Sequence, residues 1–329
     1  MEKKYELTNE TMEYVEYTLH RIKALKSFED VKEGDLGGWI ETEDNLSQEG
    51  NCWIYDNAKV YDNAEVCDNA KVYDNAEVFG KANVYGYGTG TKVFGNARVS
   101  DNAIVFGNAK VYGNAKVYGN ARVFGDAEVY DKAKVWGNAR VFGNASISGM
   151  AMIIGDAEVY NKAKVWGNAR VFDDASIFGM AMIFDDAEVC DKAKVWGNAR
   201  VFGDAEVCDK AMIFGDADVC YKAKVCDNAK VYNTQIFSNT IVEYSTHLGV
   251  TDKIITIYNN DQFKSIDNIG SRHDTTTFFK DIYTNIIYVV CGCFSGTIDE
   301  FKERVIETHG DNKYAEQYLG AIEYIKKIL

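Results

Sequence analysis

The stretch AKVYDNAEVCDNAKVYDNAEVFGKANVYG, residues 58–86, repeats one six-residue word with little change. The word is Val, usually an aromatic residue, Asp or Gly, Asn or Lys, Ala, and usually a charged residue. Val and the Ala two positions before it point to the same side of an extended strand. The Asp or Gly and the Asn that follow Val tolerate the positive φ of a tight turn. Each word therefore predicts one short strand and one corner.

The register of this word extends in both directions. Val or Ile recurs once per word from Ile54 to Val84 and again from Val93 to Val231. Between the two runs the phase slips by half a word, within a Gly-rich segment, 86–92, that we expect to bulge from one corner. Three words make one triangular coil of about 18 residues. The repeat therefore predicts a solenoid over residues 52–235.

The pattern resembles the hexapeptide-repeat left-handed parallel β-helix. The resemblance implies a mainly β fold with about ten triangular coils over 52–235. Residues 1–51 are predicted to form an acidic N-terminal cap, in which GDLGGWIE, 34–41, is a tight turn that brings Trp39 and Ile40 onto the first coil. Residues 236–329 are predicted to form a small α+β domain, with strands at 254–258, 275–279 and 286–294 and then two helices.

Charge and composition exclude several classes of function. The formal net charge of −14 disfavours direct nucleic-acid binding, which needs Lys and Arg against phosphates. We expect no membrane span, because no apolar run is long enough to cross a bilayer. The N-terminus lacks the features of a signal peptide, and the eight scattered cysteines fit a reducing compartment. These features predict a cytoplasmic protein.

Acyltransferases and γ-class carbonic anhydrases share the fold that the resemblance implies, and both need histidine in the solenoid. The chain has four histidines, His20, His247, His273 and His309, and all lie outside the repeat. We therefore predict no catalytic residue, no metal, no cofactor and no enzymatic activity.

The aromatic residue after each Val is predicted to point outward. On one face it recurs once per coil and predicts a ladder of rings: Phe106, Phe124, Phe142, Tyr160, Phe178, Trp196, Phe214 and Tyr232. The rings could shield the backbone and hold the register, or form a binding surface for another subunit, a host protein or a glycan. Tyr85, Tyr87 and Trp39 are further candidate binding residues.

A longer copy, which spans several words, places Trp at 136, 166 and 196. The spacing between these Trp residues is not a whole number of coils, so the copies fall on different faces. This favours a scaffold of interchangeable hexads over one tuned face. Cys190, Cys208 and Cys226 take the outward slot in successive coils, which favours Cys as a small apolar filler over a metal ladder.

The C-terminal part holds two clusters of reactive side chains. GSRHD spans Gly270–Asp274, and CGC contains Cys291 and Cys293. A Cys–His or Ser–His pair could be built from them. Residues adjacent in sequence do not all converge on one site, and two thiols in one strand face opposite ways. We therefore favour ordinary polar loops here.

Three further segments resemble phage- and prophage-encoded proteins of Clostridia and related bacteria. They are KYELT…RIKALKSFEDVKEGDLGGWIE…NLS, the DNAKVYDNA repeats, and GSRHDTTTFF…CGCFSGTIDEF…THGDNKYA. The resemblance implies expression in the bacterial host cytosol. The favoured function is a non-enzymatic binding protein that presents its terminal domains to a host or phage protein, for example as an inhibitor of a host defence nuclease. The alternatives are a self-assembling virion or polymer component, with oligomers formed through the ladder or the ends, and a hydrolase in the C-terminal domain.

Overall fold

The computed structural model describes residues 2–238, 240–244, 246–250, 253–271 and 273–329. It divides into two compact units, Met1–Asp174 and Ala175–Leu329. Both are built mainly from short parallel strands, and together they contain about 12 parallel turns, against about ten predicted. The predicted fold class, a mainly β solenoid with an N-terminal cap and a C-terminal α+β part, is confirmed.

The first unit begins with an antiparallel hairpin, Tyr5–Tyr14 and Tyr17–Ala24. The second of these strands pairs antiparallel with Leu36–Ile40, which pairs in parallel with Lys59–Val60. The turn predicted over 34–41 is confined to residues 33–34, and most of the remainder is strand. It brings Ile40 beside Val60 as predicted. A 3-10 helix, Glu43–Asn45, follows.

The remaining strands of the first unit form three parallel sheets, in which nearly every turn is three words long. They are Trp53–Ile54, Lys59–Val60, Glu65–Asp68, Lys71–Val72, Glu77–Val78, Asn83–Gly86, Lys92–Val93, Arg98–Val99, Ile104–Gly107, Lys110–Val111, Lys116–Val117, Arg122–Val123, Glu128–Val129, Lys134–Val135, Arg140–Val141, Ser146–Ile147, Met152–Ile153, Glu158–Val159, Lys164–Val165 and Arg170–Val171.

The hexad explains this arrangement. Val111 pairs with Val93 on one side and Val129 on the other, and the Ala two positions before each of them is equally buried, except before Val93, where Thr91 is buried instead. These side chains stack turn over turn and remove a continuous apolar column from water.

The phase slip forms a bulge, as predicted. Val93 still pairs with a valine on each side, Val72 before it and Val111 after it, so the extra residues of the slip are absorbed without loss of register. Tyr87 in the bulge is 65% exposed. Thr91 anchors the base of the bulge, because its hydroxyl donates to the carbonyl oxygen of Tyr85 at 2.7 Å.

The second unit continues the same architecture. Its solenoid strands are Ser176–Ile177, Met182–Ile183, Glu188–Val189, Lys194–Val195, Arg200–Val201, Glu206–Val207, Met212–Phe214, Asp218–Val219, Lys224–Val225, Lys230–Tyr232, Thr234–Ile236, Ile241–Val242, His247–Leu248 and Ile255–Ile257.

The parallel pairing runs beyond both ends of the predicted 52–235 segment. At its C-terminal end, Ile255–Ile257 pairs with Thr234–Ile236, so the strand predicted at 254–258 belongs to the solenoid rather than to the C-terminal sheet. The hexad pattern missed these turns because buried Thr234, Thr240 and Thr246 replace the inward Ala.

The rest of the second unit is a four-stranded antiparallel sheet followed by two helices. The strands are Phe263–Ile269, Asp274–Lys280, Ile287–Cys291 and Phe294–Thr297. The strand predicted at 286–294 is therefore a hairpin of two strands. Helix α1 is Ile298–His309 and helix α2 is Lys313–Ile328. Within the described residues, neither helix is long and apolar enough to cross a membrane.

Candidate functional site

The predicted aromatic ladder forms stacks of rings in each unit. In the first unit, successive centroids of Tyr85, Phe106, Phe124, Phe142 and Tyr160 lie 4.8–5.1 Å apart, with nearly parallel planes. Each ring is half-buried by its neighbours. Such stacked pairs contribute about 0.5–1.5 kcal/mol each beyond area burial.

The second unit repeats the stack with Phe178, Trp196, Phe214 and Tyr232, whose successive centroids lie 4.6–5.5 Å apart. Other rows stack as well, for example Phe94 on Tyr112 at 4.7 Å and Tyr118 on Trp136 at 5.5 Å. Because rings stack on all three faces of the solenoid, stacking does not mark any one face as a binding surface. This favours the structural interpretation of the ladder.

The other two predicted binding residues differ in exposure. Trp39 is only 5% exposed and packs against Leu19 and Tyr61, with the Arg21 guanidinium 5.3 Å from its ring. It is part of the cap core and is not available to a partner. Tyr87 stands out from the bulge, with its ring edge-on to Tyr85 at 6.2 Å.

Four other rings form an exposed cluster in the second unit, here named the terminal aromatic cluster: Tyr221, Phe237, Tyr258 and Tyr283. Phe237 stacks on Tyr258 at 5.0 Å and lies 6.0 Å from Tyr221, and the hydroxyls of Tyr258 and Tyr283 are 3.3 Å apart. Tyr221 is 61% exposed and Tyr283 is 72% exposed. A shallow pocket of about 470 Å³ is lined by three of the rings.

Tyr221 occupies a corner where the solenoid usually places Gly or Asp. Its φ is 60°, a left-handed conformation that costs a bulky residue roughly 1 kcal/mol or more. The equivalent residue one turn earlier is Gly203. The sequence did not reveal this cluster, because its rings do not belong to the row of outward-pointing positions that forms the aromatic ladder.

A second cavity, of about 410 Å³, lies between the C-terminal sheet and the helices. Its polar and thiol lining is Ser271, Asp274, Cys291, Cys293, Arg304, Thr308, His309 and Tyr318. The structure thus brings together most of the two clusters that the sequence singled out. Arg272 lies outside the described residues, and the exposed His273 does not line the cavity.

The expectation that the two thiols face opposite ways is wrong. Residues two apart in a strand share a face, and here Gly292, with φ 58°, and Cys293 form the hairpin turn after the strand that ends at Cys291. Cys291 and Cys293 line one cavity. Cys291 accepts a hydrogen bond from the Thr276 hydroxyl at 3.2 Å and donates to the Tyr318 hydroxyl at 3.5 Å. Its thiol is therefore held by hydroxyl groups, which is not the arrangement of an activated nucleophile.

Two histidines line pockets of the second unit, His309 and His247. His309, at the end of α1, stacks on Tyr318 with centroids 5.8 Å apart and so enters the cavity. His247 lies on a solenoid strand paired with Lys230–Val231, which corrects the expectation that every histidine is outside the solenoid. Burial, and next the charge of Lys230, lowers the pKa of His247. The imidazole is therefore favoured in its neutral form.

The comparisons with known proteins concern the repeat. Residues 97–113 match the model of the YdcK β-solenoid repeat. A curated protein of Escherichia coli strain K12, "Uncharacterized acetyltransferase YdcK", is 58% identical over 38 residues, which is 12% of this chain and 12% of that protein. The chain is thus a β-solenoid repeat protein with a repeat that is similar, over these residues, to that of YdcK. The match spans about an eighth of either protein.

Proposed function

We propose that this chain is a non-enzymatic binding protein, encoded by a phage or prophage and acting in the bacterial cytosol, that occupies a host protein. The observation that carries this proposal is the terminal aromatic cluster, with Tyr221 and Tyr283 largely exposed beside a shallow pocket. Exposed Tyr rings are enriched at the energetic centres of protein interfaces. The aromatic ladder, by contrast, is engaged in stacking within the solenoid.

The net charge of the chain indicates which class of partner it binds. A chain with a net charge of −14 attracts proteins with a basic surface and repels nucleic acid. A nucleic-acid-binding protein of the host, such as a defence nuclease, presents such a surface. The solenoid then serves as a rigid support, and charged positions pair with each other between turns, as Lys110 does with Glu128 at 2.8 Å.

The test is affinity capture from host lysate with the full chain and two matched variants. Tyr221→Gly removes a ring of the cluster and also relieves the left-handed strain, so unfolding does not explain a loss of binding. Tyr244→Gly is the control, because Tyr244 has a similar φ of 59° and exposure of 69%. Tyr244 makes none of the cluster's ring contacts in the described part of the chain.

We expect a basic host protein that is captured by the native chain and by Tyr244→Gly, and at least tenfold less by Tyr221→Gly. Capture should weaken as salt is raised. Equal capture by all three chains, or a partner without a basic surface, would contradict the proposal.

Acetyl transfer is the second candidate, because the curated relative carries that activity in its name and His247 lies on a solenoid strand. The imidazole is half-buried beside a small pocket of about 180 Å³ that it shares with Lys230 and Cys293. Release of free thiol from an acetyl thioester by the native chain, lost in His247→Ala, would favour this candidate over the binding protein.

A further inference from the structure

Two groups of metal-ligating side chains meet at one corner of the second unit. Cys208, Asp209 and Cys226 form the first group, and Cys226, Asp227 and Glu243 form the second. Within each group one ligand atom per residue lies within 4.8 Å of the others. The groups share Cys226, so the ligating side chains of both are contiguous.

The solenoid register creates this arrangement. Val207 pairs with Val225, and Val225 pairs with Val242, so the residues that follow them lie in successive turns. These residues are Cys208, Cys226 and Glu243, which place two thiols and one carboxylate in a row. The sequence showed that the two thiols are one turn apart. It did not show that Glu243 is next in the same row, because the turn from Cys226 to Glu243 is one residue shorter than the turn before it.

Backbone hydrogen bonds orient the two aspartates beside the thiols. Asp209 accepts a hydrogen bond from the backbone N–H of Asp227 at 3.1 Å, and Asp227 accepts one from the N–H of Tyr244 at 2.9 Å. Each bond uses one carboxylate oxygen, Oδ2, of its aspartate. Outer contacts of this kind orient metal ligands in proteins.

Three carboxylates, those of Asp209, Asp227 and Glu243, lie beside the two thiols. Lys224 lies close to both thiols but pairs with Glu206 at 3.1 Å. A divalent cation would offset the crowding of negative charge and displace both thiol protons.

We propose that Cys208, Asp209 and Cys226 bind one thiophilic divalent cation, of which Zn²⁺ is the natural representative, and that Glu243, which is grouped with Cys226, supplies the fourth ligand. Two thiolates and two carboxylates suit its tetrahedral coordination, and soft sulfur ligands discriminate against Mg²⁺ and Ca²⁺. Binding releases two thiol protons and clamps three successive turns together. The cation therefore stabilises the C-terminal end of the solenoid.

The test is titration of the metal-free full chain with Cd²⁺, followed by the ultraviolet absorption of cadmium–thiolate bonds. We expect one cation per chain and an affinity that rises as pH rises, because thiol protons compete with the cation. Cys208→Ser with Cys226→Ser should abolish the absorption. Zn²⁺ should compete for the site and raise the thermal unfolding temperature, whereas Mg²⁺ should do neither.

Cys67→Ser is the matched control, because Cys67 takes the same outward slot, is followed by Asp68, and faces Tyr85 one turn later. Cys293→Ser controls for the exposed thiol of the C-terminal cavity. Both should leave the titration unchanged. Glu243→Gln, a change of a half-buried side chain, should weaken binding about tenfold or more without loss of the fold.

Absence of the cadmium–thiolate absorption in the native chain would overturn the proposal. It would also be overturned if either control reduced the absorption as much as the double serine variant does. Unchanged affinity in Glu243→Gln would remove that residue from the ligand set and contradict the proposed site.

Discussion

The corner residue of each turn shows how a single side chain serves the solenoid. At Asp131 the backbone has φ 59°, and Oδ2 of the same residue accepts a hydrogen bond from the N–H of Gly149, one turn on, at 3.1 Å. Gly at this position avoids the steric cost of a positive φ, whereas Asp offsets it with a hydrogen bond. This explains why the third position of the word alternates between these two residues.

We therefore expect Asp131→Ala to lower the free energy of unfolding by about 1–2 kcal/mol, because Ala retains the strained φ and loses the acceptor. Asp131→Gly should lower the free energy of unfolding less than Asp131→Ala does, since Gly removes the backbone strain. Denaturant unfolding of the two variants checks this order. An Ala variant as stable as the Gly variant would contradict it.

Gly37 in the cap supports a second prediction. A Cβ on Gly37 would lie 2.6 Å from the carbonyl oxygen of Ile54, a backbone atom that cannot move cheaply. Gly37→Ala should cost about 1–3 kcal/mol of stability through overpacking. Gly320, inside helix α2, is the control, because a Cβ there meets nothing within 4 Å.

Gly320→Ala should stabilise α2 by about 0.5–1 kcal/mol, because Ala is the better helix former. Thermal unfolding of both variants tests the pair. Equal effects of the two substitutions would show that the close approach at Gly37 does not matter.

At the scale of the element, each turn depends on its neighbours alone. Val111 pairs with the valine one turn before it and with the valine one turn after it in its own sheet. In the other two sheets, Val117 and Val123 of the same turn also pair with valines of the next turn. Asn side chains add a second ladder, in which Asn102 donates to Asn120 at 3.1 Å. Removal of a whole turn should therefore leave complementary surfaces.

Deletion of residues 112–129, a whole turn, should give a folded, shorter solenoid, whereas deletion of 112–117, a single word, should keep the hexads but move downstream side chains to other faces. Both deletions lie in the first unit and spare the terminal aromatic cluster, so we expect both to bind the partner. Circular dichroism verifies folding, and capture measures binding. Binding by the whole-turn deletion alone would assign recognition to the aromatic ladder instead.

At the scale of the whole molecule, net charge bears on self-assembly. A net charge of −14 makes copies of the chain repel one another, which disfavours an open-ended polymer. Charged side chains of the solenoid pair between turns, as Arg140 does with Glu158 at 2.7 Å, and such pairs interrupt any stripe of one sign.

We expect sedimentation velocity to show one discrete species whose mass does not grow with concentration at low salt. High salt screens the repulsion between copies, so a single species at high salt is the more demanding test of this prediction. Mass that increases without limit at either salt concentration would favour the self-assembling virion component. Tyr221→Gly measured in parallel would show whether the terminal aromatic cluster causes any association.

The sequence by itself determined the solenoid, its turn of three words, the bulge at 86–92 and the stacked rings. These features are encoded locally, because alternation along a strand fixes which side chains point inward and a corner needs Gly, Asp or Asn. The start of α1 is encoded locally as well, because Thr297 and Glu300 form a capping box there.

Only the tertiary structure decided where the solenoid ends and which reactive side chains meet. Thr240 and Thr246 fill the inward position of Ala once their turn is stacked, a substitution that no local rule specifies. His309 lines the same cavity as Cys291 and Cys293 because α1 packs on the hairpin, and a shortened turn brings Glu243 close to Cys226. These contacts join residues distant in the chain, so they follow from how elements pack rather than from the period of any word.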